Sequence, residues 1–177
     1  MSSIGTPGSG ADGGRAPPDT PRVLVYGYGN PGRQDDGIGI ALVDELEEWA
    51  AAGGREHLRF ERDYQLNLED AWETARHDVV VFVDASADQA EEFLLRPVEP
   101  ARSVSFTTHA MSPEGVLALS RDLYGVLPAA HLLTVRGYAW EPNGAMTEGA
   151  RQNLEAAKAF LARLLEAPRD LLRKRTP

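Results

Sequence analysis

Three residues far apart in the sequence have the side chains best suited to chemistry: Asp36, Asp84 and His109. Asp36 closes the run Gly27-Tyr28-Gly29-Asn30-Pro31-Gly32-Arg33-Gln34-Asp35-Asp36. Asp84 directly follows the apolar run Val79-Val80-Val81-Phe82-Val83, and His109 stands in Thr107-Thr108-His109-Ala110. A carboxylate at the mouth of a buried strand costs free energy unless a donor or a cation meets it. Of the adjacent pair, one acid can favour a helix start by its charge while the other projects along a sheet edge. Asp36 is the ligand candidate of the two. Together, two carboxylates and an imidazole form a ligand set suited to a borderline divalent metal such as nickel, zinc or manganese. The plainer readings are that loop amides satisfy Asp84, and that a lone loop histidine is polar surface.

Other chemistries lack their residues. The 177-residue chain has no cysteine, which removes zinc ribbons, iron–sulfur clusters, redox CxxC pairs and cysteine nucleophiles. No HExxH pair, G-x-S-x-G elbow or Gly-Lys-Ser/Thr phosphate loop occurs, so zincin, serine-hydrolase and nucleoside-triphosphatase readings have no signature. The glycines do satisfy G-x-G-x-x-G after an expected strand, with Glu61 or Asp63 placed to hold a ribose. Yet Pro31 interrupts the motif, and Asp35 and Asp36 would repel a phosphate at the helix start. No nucleotide is expected, and a dinucleotide-binding regulatory module is the alternative this motif keeps open.

These residues need elements to position them. Val23-Leu24-Val25-Tyr26 reads as a buried strand ending at Gly27, and Ile38, Leu42, Leu46 and Trp49 predict an amphipathic helix from Asp36 to Gly53-Gly54. A second strand is expected over residues 58–62. Asn67 then stands as an N-cap for a helix with Leu68, Ala71, Trp72 and Ala75 on one face. The run from Val79 to Val83 predicts a central strand covered on both faces. A further strand is expected over residues 104–106, and Ser112-Pro113 begins a helix bearing Val116, Leu119 and Leu123. Residues 132–135 read as the last strand. Thr147 caps a final helix carrying Leu154, Ala157, Leu161 and Leu164, closed by Pro168. His57, His77 and His131 read as surface or strand-edge residues.

Strands alternating with helices predict an α/β three-layer sandwich with a twisted, largely parallel central sheet. Ligands of such sheets bind beyond the C-terminal strand ends, where Asp36, Asp84 and His109 could meet. Gly27, Gly29, Asn30, Gly37 and Gly39 shape that cleft. Three segments are expected: a disordered arm over residues 1–21, one domain over 22–167, and a basic, solvated tail over 168–177. The net charge of −9 argues against nucleic acid or an anionic membrane as partner. Without a signal peptide or a spanning apolar segment, a cytoplasmic protein is expected.

The runs VLVYGYGNPGRQDDGIGIALVDEL, VVVFVDAS and TTHAMSPEGVLAL, in that order and at those separations, resemble the [NiFe]-hydrogenase maturation endopeptidases over residues 22–166. The resemblance implies a compact α/β fold and a monomer that meets its substrate transiently. It implies removal of a C-terminal extension from the hydrogenase large-subunit precursor after nickel has entered it, with nickel supplied by the substrate. The family's metal-contacting residues fall on Asp36, Asp84 and His109. Some members have glutamate where this chain has Asp36, and the missing methylene shortens the reach by about 1.5 Å, which leaves Asp35 as an alternative ligand. Water is the expected nucleophile, with Asp84 or Asp36 as base. The substrate surface is expected around the loops holding Gln65, Ser86 and His109. A scaffold that binds the nickel-loaded subunit without cutting it is the third reading.

Overall fold

The computed structural model describes residues 20–102 and 111–172. Five strands form one sheet in the order β2-β1-β3-β5-β4. They are β1 (Val23–Tyr28), β2 (Leu58–Asp63), β3 (Val79–Ser86), β4 (Phe93–Pro97) and β5 (Ala129–Arg136). All neighbours pair in parallel except β4, which runs antiparallel to β5 at the edge. The helices are α1 (Ile38–Ala52), α2 (Asp70–Ala75), α3 (Pro113–Tyr124), α4 (Glu148–Glu166) and the short α5 (Arg169–Leu172).

Side-chain alternation along the strands divides the core in two. Val23, Val25, Val79, Val81, Val83, Leu133 and Val135 pack against Leu42 and Leu46 of α1 and Leu154, Leu161 and Leu165 of α4. Leu24, Tyr26, Val80, Phe82 and Leu132 point the other way, onto Ala71 of α2 and Val116, Leu117 and Leu119 of α3. Each fully buried Val or Leu contributes about 1.5–3 kcal/mol, so neither face of β1 or β3 can be polar. This is the predicted three-layer sandwich with a largely parallel sheet. Helix starts agree where a hydroxyl was expected: Ser112 accepts from the Gly115 amide and Thr147 from the Ala150 amide, both at 3.2 Å.

Several local expectations are corrected. The edge strand β4 lies within a charged, proline-punctuated stretch where no strand was expected, and the strand expected over residues 104–106 lies outside the described residues. Edge strands tolerate Arg96 and Pro97 because one side of the ladder needs no partner. Asn67 is not a side-chain cap: its amide donates to Asp70 Oδ2 at 2.6 Å, while its own side chain donates to Asp63 Oδ2 at 3.1 Å. The buried face of α2 is Ala71 and Thr74, and Leu68, Trp72 and Leu123 are exposed. Trp72 instead meets Tyr124 edge-on at 5.5 Å. Leu165 rather than Leu164 completes the fully buried stripe of α4.

His131 is neither a surface nor an edge residue. It lies on β5, inside the sheet, 4% exposed, with Nε2 2.8 Å from the Leu171 carbonyl. The same contact corrects the solvated tail, because α5 docks and Leu171 is buried. Residues 173–177 and 1–19 lie outside the described residues. Among those described, no helix is long and apolar enough to cross a membrane.

Candidate active site

The connection from β1 passes through α1 to β2 on one flank, and the chain then returns through α2 to β3 on the other. The C-terminal ends of β1 and β3 therefore border the crevice of a topological switch point, the usual ligand position in such sheets. Asp36 follows β1 and Asp84 lies near the end of β3.

Glycines make this crevice possible. A Cβ on Gly39 would collide with the Tyr28 and Val83 carbonyls, so α1 starts directly against the ends of β1 and β3. Gly29 has φ +134°, a backbone conformation L side chains rarely adopt, and a Cβ there would collide with the Asp36 carbonyl. The chain then makes a 3-10 turn over Gln34–Gly37 before α1 begins at Ile38, two residues later than the helix start expected at Asp36.

Within that turn the two acids separate. Asp35 is fully buried and accepts from the Tyr138 amide at 2.7 Å, the Ala139 amide at 3.0 Å, the Thr147 amide at 2.7 Å and Thr147 Oγ1 at 2.8 Å. Burial raises its pKa, but these donors outweigh burial and leave it below the usual aspartate value. Its lone pairs are committed, so it is not the free ligand. Asp36 is half-buried and its Oδ2 accepts only the Asn30 amide, at 3.3 Å, among the described hydrogen bonds. Of the two adjacent acids, Asp36 is the one that meets fewer donors among the described hydrogen bonds.

Asp84 is half-buried at the sheet edge. Burial pushes its pKa up to about 6, against a hydrogen bond from Tyr28 and one from the Ala85 amide at 2.8 Å, and with the nearby Asp36 charge adding to the rise. Tyr28, which sequence reasoning passed over, follows from register. Gly27 pairs with Val83, so the next residues, Tyr28 and Asp84, lie side by side on the same face. Burial, and then Asp84, hold the Tyr28 phenol in its protonated form. A tyrosine two positions beyond buried Tyr26, at a strand end, was the signal available in the sequence.

His109 lies outside the described residues. Among those described, no three histidine or acidic side chains converge as a metal site. A positive charge near both Asp36 and Asp84 would relieve the repulsion from Asp36 that adds to the burial-driven rise of Asp84. Of the expected substrate-facing residues, Gln65 is exposed beyond β2, and Ser86 ends β3 with its carbonyl accepting the Gly137 amide at 2.9 Å. For a dinucleotide, the geometry is poor. Pro31 packs against Gly37 at the helix start, Glu61 is paired with Arg59 at 2.6 Å, and Asp63 binds the Tyr64 amide and Asn67.

An α/β sandwich with paired carboxylates at its switch point is the class these observations define. No protein-family sequence profile matches the chain, and no curated protein matches it in sequence. Solved structures do. The [NiFe] hydrogenase maturation protease HycI of Thermococcus kodakarensis KOD1 aligns with TM-score 0.65 at 21% identity, over 82% of this chain and 92% of that one. The hydrogenase maturating endopeptidase HybD of E. coli aligns at 0.62 and 22% identity, over 82% and 93% of the two chains. A hydrogenase 2 maturation peptidase from a Thaumarchaeota archaeon gives 0.60 and 22%, over 82% and 98%. The chain has the fold of the hydrogenase maturation proteases.

Proposed function

We propose that this protein is an endopeptidase that removes the C-terminal extension of a [NiFe]-hydrogenase large-subunit precursor once nickel has been inserted. What carries the reading is the placement of Asp36 after β1 and of Asp84 near the end of the adjacent β3, at the switch point of a fold shared with hydrogenase maturation proteases. Nickel belongs to the substrate in this account. Asp36, Asp84 and His109 complete its coordination, which docks the scissile peptide and rejects a precursor offering no cation.

Nickel in the docked precursor supplies Lewis acidity at the scissile carbonyl. This chain's residues supply the remainder. Water adds to the carbonyl carbon as a carboxylate, Asp84 or Asp36, takes its proton. The same proton passes to the departing amide nitrogen as the carbon–nitrogen bond breaks, leaving a carboxylic acid on the mature subunit and an amine on the extension, to which the acid's proton then passes to give a carboxylate and an ammonium. A base whose pKa lies near the working pH is efficient at this task, and burial brings Asp84 of the free enzyme toward that range, up to about 6. Tyr28 keeps the Asp84 carboxylate oriented through its hydrogen bond. The crevice floor stays fixed because Gly39 seats α1 on the strand ends.

The test is intact mass spectrometry of nickel-loaded precursor incubated with the wild type, Asp36→Asn and Asp84→Asn. The reading expects a shortened precursor with the wild type and an unshortened one with either variant. Unchanged cleavage by Asp84→Asn would remove Asp84 from the chemistry.

A further inference from the structure

Asp35 takes no direct part in the reaction proposed above, yet it is among the most heavily bonded side chains described. We propose that Asp35 is a positioning residue: by fastening the turn that bears Asp36 to the β5–α4 connection, it holds the Asp36 carboxylate beside Asp84. This rests on the reading of that edge as the reactive site.

The turn over Gln34–Gly37 has little to hold it otherwise. Neither it nor α1 has a side-chain cap, and Gln34 has φ 47°, a left-handed conformation unfavourable to a residue with a Cβ. Its stability must come from outside, and the bonds point to one segment. Besides the four donors to its carboxylate, Asp35 gives its own amide to the Ala139 carbonyl at 3.2 Å. Gln34 Oε1 accepts from the Glu141 amide at 2.9 Å, and the Asn143 amide donates to the Gly32 carbonyl at 2.8 Å. The approach is close enough that a Cβ on Gly137 would stand 2.8 Å from Asp35 Cβ.

Capping α4 does not explain this arrangement, because Thr147 caps it with the lone pair of its own hydroxyl, whose hydrogen goes to Asp35. An ionised acceptor meeting three amides and a hydroxyl is a strong, directional anchor. Consecutive residues of one tight turn cannot shift independently, so anchoring Asp35 fixes the backbone from which Asp36 projects. A displacement of about 1 Å at such a site costs on the order of 100-fold in rate.

The experiment uses the full chain carrying Asp35→Asn, at a temperature where circular dichroism finds it folded, with two readouts. The first is amide exchange at Asn30, whose N–H donates to Asp36 Oδ2, referenced to Val81 in the central strand. The expected result is that exchange at Asn30 accelerates at least about tenfold more than at Val81; an acceleration no greater than that at Val81 overturns the proposal. The second is precursor processing by Asp35→Asn, which is expected to be slowed about 10-fold to 100-fold; processing at the wild-type rate overturns the proposal. Should Asp35→Asn not fold, Thr147→Val removes one donor and is expected to raise Asn30 exchange several-fold; unchanged exchange overturns the proposal. A wild type that processes nothing would refute the functional reading alone, and Asn30 exchange would still decide the role of Asp35.

Discussion

Tyr28 and Asp84 stand side by side across the β1–β3 ladder, so the last residue of one strand faces the acid near the end of the next. The Tyr28 hydroxyl favours the ionised acid. Its loss in Tyr28→Phe therefore raises the Asp84 pKa further above about 6. The acid limb of kcat/KM, which reports groups of the free enzyme, is expected to move to higher pH in Tyr28→Phe. A pH profile of processing checks this, and an unmoved limb would separate Tyr28 from Asp84.

Asp84 and Asp35 make opposite contributions to stability. Asp84, raised to about 6 from 3.8, contributes stability that is full below the unfolded value and lost as pH rises through the folded one. Asp84→Asn should therefore melt above the wild type at pH 8, by an amount on the order of 1–3 kcal/mol, and the gap should close by pH 4. Melting curves of both proteins across that range give the answer.

Asp35 behaves in the reverse sense. Its folded pKa lies below 3.8, so its contribution is present above the unfolded value and disappears only as pH falls through the folded one. Asp35→Ala leaves buried donors without an acceptor and is expected to lose about 3–5 kcal/mol at pH 7. Urea denaturation at a series of pH values should find the difference unchanged down to about pH 4 and narrowing only below it.

Gly39→Ala is expected to destabilise the protein by more than about 2 kcal/mol, because its new methyl meets two strand carbonyls rather than a flexible side chain. Gly54→Ala meets nothing within 4 Å, although its φ of 62° carries a smaller strain. Thermal denaturation of the two variants side by side measures the difference.

Leu171 is the residue by which the chain end is held, buried at 3% exposure beside His131. Leu171→Ala is expected to cost about 2–4 kcal/mol, whereas a solvated tail would show no change in a denaturation midpoint.

The sheet and its helices were legible in the sequence because buried parallel strands appear as unbroken runs such as Val79 to Val83, and because glycines and hydroxyl caps mark helix ends. Asp84 was legible for the same reason, as a charge directly after such a run. What escaped depended on pairing partners. β4 alternates weakly and includes Arg96 and Pro97, so only its ladder to β5 identifies it. The partner of Tyr28 follows from the register of β1 against β3, and the burial of Asp35 from donors more than a hundred positions away. Trp72 fits helical periodicity but not the core, because α2 is too short to bury more than Ala71 and Thr74. His131 shares its face of β5 with Leu133 and Val135, so its polarity was a poor guide to its burial.

Processing gated by metal in the substrate is tested by intact mass spectrometry of a hydrogenase large-subunit precursor, in nickel-loaded and nickel-free forms, incubated with this protein and with its His109→Ala variant. The account predicts loss of a C-terminal peptide from the nickel-loaded form alone, and no loss with the variant. An intact precursor in both forms, when the same precursor matures in cell extract, would contradict it and leave Asp36 and Asp84 as a binding site without catalysis.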